Sequence, residues 1–398
     1  MSTVELSDAL EGLGATLNVG SDDDEITFNL SVINKNLKPA VEILRQVVLT
    51  PRFDAKDLAR LKKQRLIAID TRGDDIRGIS SAVWQRLMFG DAAIEGMPAI
   101  GRRDTVEKIT IDDVRNYYTQ NATPAGARVS VVSDMSAAQV KDLLQPLVAA
   151  WTGFRRRRRR GCRALGRSRR RAPESQDAAA ARPSVPTYDK VALFLVDKPG
   201  AAQSEVSIGH LGVAVTDPDY YPLTVLNYVL GGAFSSRINM NLRESKGYTY
   251  GARSGFSAGV RPGPFAATGG IHTQYTKESV VEFMKELNAI LDGVTDKELE
   301  FAKNALAQGL ALRYESTMAR MQLLNDIGKY GFPDDYLQKR LKQLDALTVD
   351  DLKALAKKHL HPDKMAILVV GDKQKVQQGL NGLGYGDAVE LDIDGTKK

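Results

Sequence analysis

Arg243 and Tyr250 are the residues of this 398-residue chain whose types and spacing best suit chemistry on a peptide. They lie in "GGAFSSRINMNLRESKGYTYG" (231–251), where a helical pattern gives way to a strand pattern. A guanidinium and a phenol at one corner could hold a carbonyl oxygen or a carboxylate. The pattern equally fits a solvated arginine in a last helical turn and a half-buried tyrosine. The residues alone leave both interpretations open.

The flanking residues predict the corner itself. Ser235 or Ser236 is suited to cap the helix, because a hydroxyl can accept a hydrogen bond from a free amide at a helix start. Gly247 follows the helix, at a position where left-handed backbone is common. Tyr250 then opens the strand "YTYGARSGFSA". These signals place Arg243 and Tyr250 at one junction between a helix and a strand.

The composition is that of a soluble globular chain with enough residues for two domains. Hydrophobic residues make up 43% and charged residues 26%. The sequence contains no apolar run of about 18 residues, so no transmembrane segment is predicted. The first residues lack the pattern of a signal peptide. A single cysteine excludes an intramolecular disulfide, and four histidines restrict metal chemistry.

One segment supplies the basic charge. Residues 155–171 contain eleven arginines and no acidic residue, and taking eleven from the formal charge of +6 leaves −5. This distribution argues against a general nucleic-acid-binding surface. Residues 153–187 are rich in Arg, Ala and Pro and are predicted to form a linker. A tether for a polyanion or a membrane surface and a local frame shift over 155–182 are alternatives, of which the frame shift is favoured.

The sequence on the two sides of this linker repeats. Residues 110–134 align with 348–372 without a gap, at an offset of 238. Two further pairs follow in the same order: 40–44 with 280–284, and 55–69 with 296–310. Such a series indicates a tandem duplication, with one copy over 1–152 and the other over 188–398.

Strands cluster and helices run consecutively, so the predicted class is α+β, with helices covering one face of a mainly antiparallel sheet in each copy. The predicted strands of the second copy are 191–197, 204–215, "YTYGARSGFSA", "PFAATGGIHT" and "KMAILVVGD". Its predicted helices are 218–230, 276–292, 296–316, 319–331, 335–345 and 349–360. The first copy lacks counterparts of 191–215 and of the helix after them. It is therefore predicted to be an incomplete domain, truncated at its N-terminal side.

Residues 217–256, "DPDYYPLTVLNYVLGGAFSSRINMNLRESKGYTYGARSGF", resemble the second domain of the pitrilysin/insulinase family of zinc peptidases. The bacterial and mitochondrial-processing-peptidase branch is the most similar, and the resemblance extends through both copies. It implies two homologous α+β domains that form half of a clamshell chamber for unfolded peptides. It also implies that Arg243 and Tyr250 hold the substrate and stabilise the oxyanion.

The zinc-binding residues of that family are missing from this sequence. Hydrolytic members carry H-x-x-E-H and a distal glutamate. No H-x-x-E-H occurs here, and no histidine precedes His210. The segment resembling the distal helix, 57–70, contains Asp57 and Asp70 but no glutamate. We therefore expect no metal in this chain, and a zinc-bearing homologous subunit as its partner in a heterodimer.

The first functional hypothesis is accordingly a non-catalytic peptidase subunit that binds unfolded peptides through Arg243 and Tyr250. An inactive peptide-binding or structural module, like the family's core subunits in respiratory complexes, is the first alternative. A fragment of an active zinc metalloendopeptidase is the second. The family resemblance favours a periplasmic over a cytoplasmic location for a longer parent protein, while this chain itself shows no signal peptide.

Overall fold

The computed structural model describes residues 1–161 and 185–398. The chain forms two compact units: Met1–Ile69 with Ile100–Arg182, and Asp70–Ala99 with Pro183–Lys398. Residues 70–99 thus pack with the second copy although they precede the linker. The boundaries at 152 and 188 stay a prediction about the sequence repeat. In the described ranges, no helix is both long and apolar enough to cross a bilayer.

The first copy begins with a helix and a hairpin. Strands β1 and β2 pair antiparallel in unbroken register, from Thr16 opposite Ser31 to Ser21 opposite Ile26. The elements before the linker are α1 Thr3–Gly12, β1 Thr16–Ser21, β2 Ile26–Ser31, α2 Leu37–Leu49, α3 Ala55–Thr71, α4 Ile76–Phe89, α5 Arg103–Val106, α6 Ile111–Asn121 and α7 Ala137–Gly161.

Helix α7 extends into the segment predicted as a linker. It continues to Gly161, so residues 153–161 are helical. Residues 162–184 lie outside the described residues, and with them most of the segment that we interpret as frame-shifted.

The second copy is built on a six-stranded sheet in the order β5-β6-β4-β7-β3-β8. The pairs β5–β6, β6–β4 and β4–β7 are antiparallel, whereas β3 pairs parallel with β7 and β8. The predicted mainly antiparallel sheet is confirmed, and β8 is an addition to it. The strands are β3 Ala192–Asp197, β4 Gln203–Leu211, β5 Thr249–Phe256, β6 Pro264–His272, β7 Ala366–Gly371 and β8 Val389–Leu391.

The helices of the second copy lie within a few residues of their predicted bounds, with two exceptions. Helix α9 covers only three residues of the helix expected after Ser236, and α15 was not predicted. The helices are α8 Tyr220–Asn227, α9 Arg237–Asn239, α10 Thr276–Ala289, α11 Asp296–Arg313, α12 Thr317–Tyr330, α13 Tyr336–Ala346, α14 Val349–His359 and α15 Lys373–Asn381.

Apolar side chains cover both faces of this sheet, which corrects the expectation of a single covered face. One face packs against helices of its own copy in the main core. On the other face, Val83 and Trp84 of α4 belong to a second core with Phe194 and Leu368. Every residue of β7 is buried. Its continuous apolar run is typical of a strand enclosed on both sides.

The duplication is visible in matching helix starts. Thr110 caps α6 and forms a reciprocal capping box with Asp113. Thr348 caps α14 and forms the same box with Asp351. Both boxes satisfy amides that the helix itself leaves free. These matching helix starts agree with the predicted repeat. In the described residues, however, the first copy contains only the two-stranded hairpin β1–β2, and not the helix-covered sheet predicted for each copy.

Candidate functional site

The sequence around the predicted site does not form the regular helices expected of it. Helix α8 passes into a π turn at Tyr228–Gly232, and α9 passes into a second π turn at Met240–Ser245. π turns insert an extra residue into a helix and occur frequently at functional sites. Arg243 lies in the second of these turns.

The predicted serine cap is correct in position and wrong in bonding. Ser236 is the residue before α9 and has extended backbone, but its hydroxyl makes no capping hydrogen bond. That hydroxyl is buried and finds no partner among the described residues. Ser235 does not cap α9 either.

Arg237, the first residue of α9, bonds the start of this helix to the start of α11. Its guanidinium donates two hydrogen bonds of 2.7 Å to the carboxylate of Glu298 on α11, and a third of 3.2 Å to the carbonyl of Gly293. The bond from Arg237 is the main cause that lowers the pKa of Glu298 to about 2. A bidentate pair of this kind fixes geometry as well as charge.

The glycines of the motif allow the first π turn to approach β5. A Cβ on Gly231 would lie 2.3 Å from the backbone nitrogen of Ser254 and 2.2 Å from its hydroxyl. Asn227 secures the same contact, since it donates 2.9 Å to the carbonyl of Ser254 and accepts 2.6 Å from its hydroxyl. Glycine at 231 is therefore required by space.

Arg243 stacks on an aromatic ring at the surface. Its guanidinium carbon lies 4.7 Å from the ring centroid of Phe234, a cation–π arrangement. The side chain is 39% exposed, and its ion pair with Glu244 is a surface contact of 3.4 Å. Phe234 itself is 64% exposed. The stack on Arg243 covers part of this exposed ring.

Tyr250 lies on the edge strand β5 and is 78% exposed. The pairing of β5 with β6 shifts register between Thr249 and Ala252, so Tyr250 sits in a bulge. Bulges re-aim side chains and are frequent beside active sites. The ring meets His272 edge-on, with 5.6 Å between centroids.

Gly247 turns the chain between these two residues with the predicted left-handed backbone, at φ 67°. The backbone N–H of Tyr248 donates a hydrogen bond of 2.9 Å to the carbonyl of Leu242 and so closes the corner. Among the contacts of the described residues, no hydrogen bond joins Arg243 directly to Tyr250. Both side chains are exposed. Arg243 contacts the ring of Phe234, and Tyr250 contacts the ring of His272.

Sequence reasoning missed Phe234, Asn239 and His272. Asn239 is 4% exposed and bonds to backbone on both sides of the corner. Its place in the middle of a short polar helix gave no signal of this role. The exposed Phe234 could have been found as an apolar residue among small ones, just before the helix.

The first copy has the same corner with different side chains. At an offset of 233, Gly14 matches Gly247, and its backbone is also left-handed, at φ 57°. The positions of Arg243 and Tyr250 are occupied there by Leu10 and Leu17. The arginine–tyrosine pair therefore belongs to one copy only.

The residues present do not fit a zinc site. Helix α3, the counterpart of the family's distal helix, carries no glutamate. Across residues 1–161 and 185–398, no group of three His, Cys, Asp or Glu residues is placed to hold a metal ion.

The rings of His210 and His359 make hydrogen bonds within the protein instead. His210 donates from Nδ1 to the carbonyl of Leu211, and its Nε2 accepts the backbone N–H of His361 at 3.3 Å. Burial lowers the pKa of His210. His359 bonds to the carboxylate of Asp219 at 2.7 Å, and its side chain is 14% exposed.

Comparison with known proteins agrees with this architecture. Residues 108–306 match the family model described as peptidase M16 inactive domain, and residues 1–77 match that of insulinase, peptidase family M16. A crystal structure of a peptidase M16 inactive domain from Pseudomonas fluorescens superposes with a TM-score of 0.78 at 25% identity, covering 92% of this chain and 83% of that one.

Two bacterial relatives cover most of the sequence. The uncharacterized zinc protease YmxG of Bacillus subtilis is 25% identical over 92% of this chain and 84% of its own length. The non-peptidase homolog YmxG of Helicobacter pylori is 22% identical over 94% and 82%. With half of its residues matched by one family model and its fold shared, this chain belongs to the insulinase family of peptidases, M16.

Proposed function

We propose that this chain is the non-catalytic subunit of a two-subunit peptidase of the M16 family. It binds unfolded peptides, and Arg243 and Tyr250 hold the peptide at the bond to be cut. A homologous subunit supplies the zinc site. The observation that carries the proposal is the exposed Arg243–Tyr250 corner on a chain whose residues do not fit zinc.

The chemistry of the two side chains supports this role. The guanidinium offers several N–H donors and a permanent charge, and the phenol offers one O–H donor. Both are suited to an oxygen that gains negative charge during acyl transfer. Removing one such donor typically slows an enzyme by about 100- to 1,000-fold.

The matched family model and the relatives support the inactive role more than an active one. The long match is to a domain described as inactive, and the Helicobacter pylori relative is named a non-peptidase homolog. Other relatives are named zinc proteases, which favours the second alternative, a fragment of an active zinc metalloendopeptidase.

Reconstitution tests the proposal. The purified full chain is assayed for hydrolysis of a fluorogenic unfolded peptide alone, and again with the zinc-motif homologue encoded in the same genome. We expect hydrolysis only in the mixture, with zinc bound stoichiometrically to the homologue. Arg243→Ala should lower the rate of the mixture. Its control, Arg65→Ala, changes an exposed arginine of α3 and should leave that rate unchanged.

Two results would reject the proposal. Hydrolysis by the chain alone, abolished by a zinc chelator, would show an active peptidase. A mixture whose rate is indifferent to the presence of this chain would favour a structural or peptide-binding module without a part in hydrolysis.

A further inference from the structure

Asn239 bonds to both sides of the Arg243–Tyr250 corner through one buried amide. Its Nδ2 donates to the carbonyl of Phe234 at 2.7 Å, and its Oδ1 accepts from the backbone N–H of Ala252 at 3.2 Å. The side chain is 4% exposed. A buried amide with both ends bonded to backbone holds two chain segments at a set separation.

The two segments are those that present the site. Phe234 carries the ring on which Arg243 stacks. Ala252 ends the bulge in which Tyr250 sits. The other end of the bulge is bonded by Thr249, whose hydroxyl donates to the carbonyl of Gly270 at 2.7 Å and accepts from the N–H of Gly251 at 3.1 Å. Asn239 thus completes the support of the bulge from the free edge of β5.

We propose that Asn239 is the positioning residue of this corner, holding the Phe234 ring against Arg243 and the bulge of Tyr250 in one fixed geometry. This inference rests on the proposed function for its biological meaning, because it names the residue that keeps the peptide-holding pair in place. The geometric part concerns this chain alone and is testable without a partner subunit.

Asn227 provides a matched control. It is also an asparagine that makes two hydrogen bonds to β5, in this case to Ser254. It bonds neither to Phe234 nor to the bulge. Asn227→Ala and Asn239→Ala should therefore lower the melting temperature by similar amounts, and only the second should disturb the site.

Asn239→Asp separates the two bonds of the amide. Aspartate keeps an acceptor for the N–H of Ala252, but it turns a carboxylate oxygen towards the carbonyl of Phe234. The bond to Phe234 is then lost while the bond to β5 remains. We therefore expect Asn239→Asp to remove the stack of Arg243 on Phe234.

The experiment uses the full chain and two readouts. The ring-current shift of the Arg243 δ-methylene protons, measured by NMR with labelled arginine and assigned with Phe234→Ala, reports the stack. Fluorescence anisotropy with a labelled unfolded peptide reports affinity. We expect Asn239→Asp and Asn239→Ala to abolish the shift and to weaken affinity by about tenfold, the effect of one hydrogen bond of typical net strength. Asn227→Ala should preserve both.

Two outcomes would overturn the positioning role. One is a ring-current shift that survives in both Asn239 variants. The other is a loss of affinity in Asn227→Ala as large as in Asn239→Ala, which would indicate general loosening of β5. If Arg243→Ala leaves peptide affinity unchanged, the proposed function fails, whereas a lost ring-current shift in Asn239→Asp still supports the positioning role.

Discussion

The two copies of the duplication build the same corner and equip it differently. In the first copy, α1 is a regular helix that starts with a capping box between Ser2 and Glu5, and its hairpin pairs without interruption. In the second copy the helix is interrupted by a π turn, and the following strand carries a bulge. Both corners contain a glycine with left-handed backbone, Gly14 in the first copy and Gly247 in the second.

This difference separates the scaffold from the site. A helix, a left-handed glycine and a strand suffice to turn the chain, since Leu10 and Leu17 accompany the same turn in the first copy. The π turn, the bulge and the buried Asn239 appear only where Arg243 and Tyr250 appear. Irregular backbone at one of two related corners indicates that the irregularity serves the side chains presented there.

The largest effect on stability is expected from filling the space at Gly231. Gly231→Ala places a methyl group 2.3 Å from the backbone of Ser254, which cannot give way as a flexible side chain would. We expect a loss of about 2 to 3 kcal/mol in the free energy of unfolding, measured with denaturant.

Gly255→Ala is the control for this substitution, because Gly255 lies next to Ser254 in β5. Its Cβ would have no described atom within 4 Å. We expect a change within about 0.5 kcal/mol. Equal effects of the two substitutions would show that the close approach of the first π turn to β5 is unimportant.

The pair of Arg237 and Glu298 should give the second copy an acid-sensitive contact. The pKa of Glu298 in the folded chain is about 2, below the value of about 4.3 in an unfolded chain. Its contribution is therefore complete above about pH 4.5 and is lost as the pH falls towards 2. Glu298→Gln should cost about 1 to 2 kcal/mol at pH 7, after allowance for the exposure of both side chains.

Denaturant unfolding at several pH values measures this contribution, and the difference between Glu298→Gln and the unsubstituted chain should close at low pH. The position in the first copy that matches Glu298 is Asp57, which forms an exposed pair with Arg52. Asp57→Asn should cost less than about 0.5 kcal/mol. A cost for Glu298→Gln that persists unchanged at pH 2 would contradict the assigned cause.

The smallest effects should be equal in the two copies. Thr110→Ala and Thr348→Ala each remove a capping box of the same geometry, so each should cost about 1 kcal/mol. Thermal unfolding followed by calorimetry measures both, with the serine variants as controls. Clearly different losses of stability in Thr110→Ala and Thr348→Ala would show that the two capping boxes do not stabilise their helices equally.

The sequence predicts those parts of the molecule that depend on local signals. The mainly antiparallel sheet of the second copy, its helix over 349–360 and the left-handed Gly247 follow from local patterns, and the repeat follows from comparing the sequence with itself. The packing of α4 against the second sheet does not, because its partners Phe194 and Leu368 lie more than 100 residues further along the chain.

The site residues Arg243 and Tyr250 stay a prediction, and the sequence did not predict the contacts that support their corner. Arg243 and Tyr250 stand out by type and spacing. The contacts that flank the second π turn, such as Arg237 with Glu298 and Asn239 with Ala252, are brought together only in the folded chain. A local reading of the same segment therefore gives a plain α-helix.

The most direct test compares two double variants in the mixture with the zinc-motif homologue. Arg243→Ala with Tyr250→Phe changes the corner of the second copy, and Arg65→Ala with Tyr117→Phe changes exposed residues of the same types in the first copy. The account predicts that the first pair lowers kcat/KM for an unfolded peptide by at least about 100-fold and that the second pair leaves it unchanged. An unaltered kcat/KM in the Arg243–Tyr250 variant would contradict it.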